Sequence, residues 1–165
     1  MSVADSAVHR NGHDIRNQIS SGFTVPLNDV LQEALRRLDG LLTRDNFIVR
    51  CEELPQVRGT VEELKQLFSS LIDLIFASAS RSRLFLHVGC SAIQLDAHQS
   101  VASTMKRYQI RIQTNINPGK GWKDQHQVAL GKCEEILSRL DGTLSVNPVT
   151  NTGCLFILTV PGKFE

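Results

Sequence analysis

The sequence predicts an α+β protein: a two-layer α/β sandwich with about three helices on one face of a mixed β-sheet. Three observations carry that prediction. From Gly59 to Ala79, Leu64, Leu67, Phe68, Leu71, Ile72 and Ile75 recur at the spacing of one buried helical stripe. Gln109-Ile110-Arg111-Ile112-Gln113 alternates as a strand with one covered face does. Cys154 to Val160 is apolar on both faces, which suits a central strand.

Taken in order, the elements read α β α β β α β β. Residues 1–24 are polar and lack sustained periodicity, so they read as an N-terminal arm or the remnant of an upstream helix. The globular domain is 25–165. Pro26 and Asn28 introduce a helix over 28–39 that buries Val30, Leu31, Ala34, Leu35 and Leu38 and stops at Gly40. Asn46 to Glu53 alternates as a strand, and Pro55 ends it. Thr60 and Glu63 then form a T-x-x-E capping box, so the long helix spans 60–78.

Arg83 to Val88 alternates again, burying either Leu84, Leu86 and Val88 or Phe85 alone. Gly89 to Arg107 has no clear period and reads as a long hairpin connection. Thr114 to Asp124 is turn-rich. A helix over 127–140 buries Cys133, Ile136, Leu137 and Leu140, and Gly142 stops it. Thr143 to Val146 and Cys154 to Val160 close the chain as a hairpin around Thr150-Asn151-Thr152-Gly153.

Composition excludes several functions. The chain of 165 residues is 41% hydrophobic and 21% charged, with a net charge of +1. That balance gives no electrostatic case for nucleic acid or an anionic membrane. Apolar runs fall short of the roughly 20 residues that span a bilayer, so no membrane insertion is expected. Cys51, Cys90, Cys133 and Cys154 are widely spaced and three lie in apolar segments, which suits reduced thiols of a cytoplasmic protein. The five histidines show no ligand spacing, so no metal is expected.

The element order, with particular words at particular places, resembles the ATP-binding (catalytic) domain of sensor histidine kinases. That family lies in the ATPase superfamily shared with gyrase and mismatch-repair proteins. The words are Leu54-Pro55-Gln56-Val57-Arg58-Gly59 with Leu64, Gln66, Leu67 and Phe68; Leu130 to Gly142 with Thr143-Leu144-Ser145-Val146; and Gly153-Cys154-Leu155-Phe156 with Leu158, Val160 and Pro161. Together they cover about Val25 to Gly162.

The family's functional positions are altered. The resemblance places two asparagines, the second a magnesium ligand, where this chain has Ser70 and Leu74; a Leu has no oxygen to offer a hard cation. It places D-x-G-x-G, the adenine-binding turn, where Thr114, Asn115, Ile116, Asn117 and Pro118 stand. It places a G-x-G-L lid end at Gln127, Val128, Ala129 and Leu130, after only the short run Gly119 to His126. Scaffold words survive while the site words are lost, so ATP and magnesium are not expected to bind.

Each singled-out residue has competing readings. Leu74 and Ile116 either fill a collapsed pocket, the favoured reading, or line one for another ligand. Pro118 to Gly121 lacks the P-loop spacing and is read as a plain turn. Trp122 is either an anchor for a partner or a plug replacing the lid. His13-Asp14-Ile15-Arg16-Asn17 resembles the phospho-acceptor box, in which a neighbouring carboxylate orients the imidazole. Too few residues follow His13 for the two-helix hairpin on which that family's acceptor stands, so a vestige or coincidence is the favoured reading.

Three functions follow from these readings. The leading one is a non-catalytic, pseudo-ATPase signalling module that binds a kinase, a response-regulator receiver or its own copy. The second is an ATP-independent phosphotransferase using His13. The third, a divergent but genuine kinase domain, contends with three lost motifs.

Overall fold

The chain is built around its last strand. The computed structural model describes residues 24–37, 47–79, 83–93, 106–149 and 153–164. They form β1 (Thr24–Pro26), α1 (Leu27–Arg36), β2 (Phe47–Cys51), β3 (Gln56–Arg58), α2 (Val61–Ser78) and β4 (Leu84–Ile93). After these come β5 (Lys106–Thr114), α3 (Trp122–Gln125), α4 (Gln127–Arg139), β6 (Thr143–Val149) and β7 (Gly153–Lys163). The seven-stranded sheet runs β1-β3-β7-β5-β4-β2, with β6 also on β7. One edge of β7 pairs with all of β5, from Lys106 opposite Gly162 to Thr114 opposite Cys154. Its other edge takes β6 along the first half and β3 at the end. Every pair is antiparallel except β2 with β4, which makes the sheet mixed.

Side-chain alternation decides which face is covered. Leu84, Leu86 and Val88, with Ile110, Ile112, Phe156 and Leu158, are buried in one core with Leu64, Leu67, Phe68, Leu71, Ile72 and Ile75 of α2. The first of the two predicted sets on 83–88 is therefore the core set. Each such side chain contributes about 2 kcal/mol by leaving water. On the opposite face Phe85, His87, Arg111 and Ile157 are half-buried, while Ser91 and Gln113 are exposed. The expected sandwich and its central strands are present.

The capping box works differently from the reciprocal arrangement. Thr60 Oγ1 accepts from Glu63 N–H at 3.1 Å, capping α2. Glu63 does not reach back to a backbone amide: its carboxylate takes the Thr60 hydroxyl at 3.3 Å and Arg139 Nε at 3.0 Å. At the end of α4 the left-handed residue is Asp141, φ 60°, rather than Gly142. Asp141 N–H donates to Ser138 O and Gly142 N–H to Leu137 O, a Schellman closure. Gly142 is needed because a Cβ there would collide with the Thr159 carbonyl oxygen.

Several expectations are corrected. The helix expected over 28–39 begins at Leu27, and Asn28 caps nothing. Asn28 instead accepts from Leu54 N–H at 2.7 Å and donates to Glu52 O at 3.2 Å, fastening α1 to the chain between β2 and β3. Gly89 to Arg107 is not wholly a connection: β4 continues to Ile93 and β5 begins at Lys106. Backbone pairing such as Ser91 with Gln109 makes strand there, where small and polar side chains hide the period. β1 and β3, three residues each, were missed because so short a run shows no alternation. Thr114 to Asp124 is not all loop, since Thr114 ends β5 and α3 begins at Trp122. The closing hairpin has longer strands than expected, with Gly153 opening β7 at φ 133°. The arm at 1–23 with His13, together with Leu38, Gly40, Asn46 and the turn Thr150 to Thr152, lies outside the described residues.

Candidate functional site

Leu74, Ile116 and Trp122 are buried, and the Trp122 indole closes on the C-terminal end of α2. Leu74 is 4% exposed, Ile116 2% and Trp122 7%, and all three belong to the main core. The indole of Trp122 meets the Phe156 ring edge-on at 6.1 Å between centroids and lies 5.1 Å from the His126 ring. A buried indole N–H needs an acceptor. Ser78 supplies it: Trp122 Nε1 donates to Ser78 Oγ at 2.7 Å, and that hydroxyl donates to Leu74 O at 2.9 Å. Indole, hydroxyl and carbonyl thus pair in a chain, and the indole N–H and the hydroxyl proton are both spent within the fold.

Local sequence explains how Trp122 is aimed there. Gly121 takes the left-handed conformation, φ 82°, which a Cβ would oppose. Trp122 N–H closes a turn on Gly119 O at 3.1 Å, and α3 gives one turn of helix before His126 hands over to α4. Pro118 to Gly121 is accordingly a turn that starts α3.

The adenine-side positions are also committed to the fold. Thr114 is 1% exposed; its hydroxyl donates to Cys154 O at 3.3 Å and accepts from Ile116 N–H at 3.4 Å. Gly153 lies hard against it, since a Cβ there would strike the Thr114 carbonyl oxygen. Asn115, which the sequence reading passed over, accepts from Phe85 N–H at 2.8 Å and donates to Arg83 O at 2.6 Å. One amide thereby locks the end of β5 to the start of β4. Its signal in the sequence is faint: an amide, able to donate and accept, directly after an alternating strand.

Of the remaining positions, Ala129 packs against the core from its edge and Pro118 stands beside Trp122. Ser70, Pro118 and Ala129 are half-buried and Gln127 is exposed. Three clefts lined by described residues lie elsewhere. One of about 260 Å³ sits outside the plug, between Pro118, Trp122, Val146 and Pro148. Another, about 190 Å³, lies at the start of α2, and the third, about 360 Å³, between α4 and β6. Neither Ser70 nor Leu74 lines any of them.

Comparison with solved structures gives the architecture its relatives. Among them, the mycobacterial sensor histidine kinase MprB superposes with a TM-score of 0.64 at 18% identity, over 87% of this chain and 99% of that one. The catalytic domain of histidine kinase ThkA, in a nucleotide-free form, matches at a TM-score of 0.64 and 14% identity, over 86% of this chain and 97% of that one. The Acinetobacter baumannii histidine kinase AdeS matches at 0.60 and 11%, over 95% of this chain and 79% of that one. The fold is that of the histidine-kinase catalytic domain. No protein-family model matches the sequence, and no curated protein does.

On this histidine-kinase fold the chemistry-bearing side chains are sparse. Among the described residues, no three His, Cys, Asp or Glu side chains converge as metal ligands. No described helix is long and apolar enough to cross a membrane. All four cysteines are free. Cys133 and Cys154 are buried, as expected of core thiols, but Cys51 is exposed and Cys90 is half-buried at the edge of the core. Burial pushes the Cys90, Cys133 and Cys154 thiols up to about 11, so none is a ready nucleophile near neutrality.

Proposed function

We propose that this chain is a nucleotide-independent signalling module: a histidine-kinase scaffold whose groove is closed and whose work is binding another protein. The partner is a kinase, a response-regulator receiver or a second copy of the chain, met in the cytoplasm, where its free thiols stay reduced. The observation that carries this reading is the Trp122–Ser78–Leu74 plug. ATP on this scaffold would need an oxygen ligand for magnesium, an acceptor for the adenine amino group and a cover over the phosphates. At those places stand the Leu74 side chain, a Thr114 hydroxyl already bonded at both ends, and α3 folded down onto the core. The residues present do not fit Mg-ATP.

Magnitudes support the same reading. Each lost hydrogen bond to a buried polar group costs about 1–3 kcal/mol. Two or three such losses take a micromolar site to about millimolar or weaker. Calorimetric titration with Mg-ATP and with Mg-ADP tests the proposal. No saturable heat is expected with either nucleotide; a micromolar isotherm would overturn it.

A further inference from the structure

Charge is distributed unevenly between the two layers. The helices hold Asp29, Glu33, Glu62, Glu63, Asp73, Glu134 and Glu135, and several are paired. Arg37 meets Asp73 at 3.1 Å, Lys65 meets Glu33 at 3.0 Å and Arg139 meets Glu63 at 3.0 Å. By contrast, none of the seven strands contains an Asp or a Glu, while they carry Arg50, Arg58, Lys106, Arg107, Arg111 and Lys163.

Five of those cations share the face of the sheet that the described helices leave uncovered. By strand alternation Arg50, Arg107 and Arg111 point away from the core, with His87 beside Arg50 in register, and so do Arg58 and Lys163 where β3 meets the end of β7. Their recorded partners are neutral: Arg111 donates to Ser91 Oγ at 2.8 Å and Gln109 Oε1 at 3.3 Å, and Arg107 to the Asp141 carbonyl at 2.6 Å. The carboxylate found on this face, Glu52 just past β2, is engaged by His87 at 3.3 Å and by Cys90 N–H at 3.4 Å. Apolar groups run between the guanidiniums. Ile157 stands opposite Arg111 and Leu155 opposite Gln113, with Phe85 half-buried and Ile48 41% exposed beyond them.

We propose that this open sheet face is a docking surface for an acidic protein segment, one whose Asp and Glu side chains alternate with aliphatic ones. The proposal rests on the reading of the chain as a protein-binding module and names the surface and the partner's chemistry. Around Arg111 the face mixes arginine with Ile, Leu and Phe, the composition of a protein–protein interface. Guanidinium forks pair with carboxylates two hydrogen bonds at a time. A single-stranded nucleic acid would want a basic groove with several stacking aromatics; among the described residues this face offers Phe85.

The probe is a fluorescein-labelled peptide alternating Glu or Asp with Leu, followed by anisotropy against the full chain. A Lys-for-acid counterpart and a DNA duplex serve as competitors. The acidic peptide is expected to bind and the other two are not, and binding should weaken steeply between about 0.05 M and about 0.5 M salt. Arg111→Glu should weaken it about tenfold or more, as loss of a central arginine does. Because Arg111 is half-buried, Arg50→Glu on the exposed edge strand gives a second readout without entering the core. Lys132→Glu on α4 should change nothing. Equal binding by the sheet-face variants, preference for the Lys peptide or the duplex, or a dimer that sediments apart in Arg50→Glu would each overturn the proposal. If the peptide is ignored and Mg-ATP is ignored too, only this surface falls; if Mg-ATP binds, the proposed function falls instead.

Discussion

Helix α2 is held in two different ways at its two ends. Its start is fastened by polar groups near the surface: Thr60 caps the Glu63 amide, and the Glu63 carboxylate then takes the guanidinium of Arg139, 76 positions away. Its end is fastened by a residue 44 positions away, the buried Trp122 indole on the half-buried Ser78 hydroxyl. The first is polar and interchangeable with water. The second is largely apolar, built on an indole that belongs to the main core. Energy should therefore be concentrated at the end that holds Trp122, because packing and desolvation outweigh exposed hydrogen bonds.

That asymmetry fixes an order of effects. Trp122→Ala should cost the most, about 3–5 kcal/mol in chemical denaturation, since it empties the plug and strands the Ser78 hydroxyl. A loss no larger than that of a surface substitution would show that the plug is dispensable. Leu74→Asn should cost about 2–3 kcal/mol, because an amide without partners replaces packed methyls. It should give no heat with Mg-ATP, as Thr114 and Trp122 still stand in the way. Trp122 is the only tryptophan, so its emission reports any loosening directly. A Leu74→Asn variant that binds Mg-ATP and unfolds at the same denaturant concentration would reverse the comparison.

The start of α2 should yield less. Thr60→Ala removes one cap and should cost about 1 kcal/mol, with the plug and the Trp122 emission unchanged. Smallest is Arg139→Ala. Its side chain is 50% exposed and shared between Glu63 and Glu135, at 3.0 and 3.3 Å. About 0.5 kcal/mol is expected, fading as salt rises toward about 0.5 M. If that loss persists at high salt, the start of α2 is held by more than exposed charge.

Much of the fold was legible in the sequence, and the reasons are local. The stripe from Leu64 to Ile75 is a period, Thr60 with Glu63 is a three-residue signature, and the alternation from Gln109 to Gln113 is a pleat. Each is written in adjacent residues because helix and strand geometry repeat over a few positions. The candidate site was legible only as a set of departures. Leu74, Thr114 and Ile116 stand out as departures from the family's residue types, while for Trp122 nothing near it in sequence chooses between a plug and an exposed anchor.

By itself, the sequence determined the α+β class, the helix α2 with its start, and the central place of Ile110, Ile112, Phe156 and Leu158. Tertiary structure decided what no short-range pattern encodes. It extended β4 and β5 through polar residues, since a strand's backbone bonds to its neighbour whatever its side chains are. It gave Asp141 the left-handed turn and set Gly142 against the Thr159 carbonyl, where there is room for nothing larger than a hydrogen. It brought Trp122 to Ser78 because a buried indole must both pack against apolar neighbours and find an acceptor, and only the folded chain puts Phe156 and Ser78 in one place.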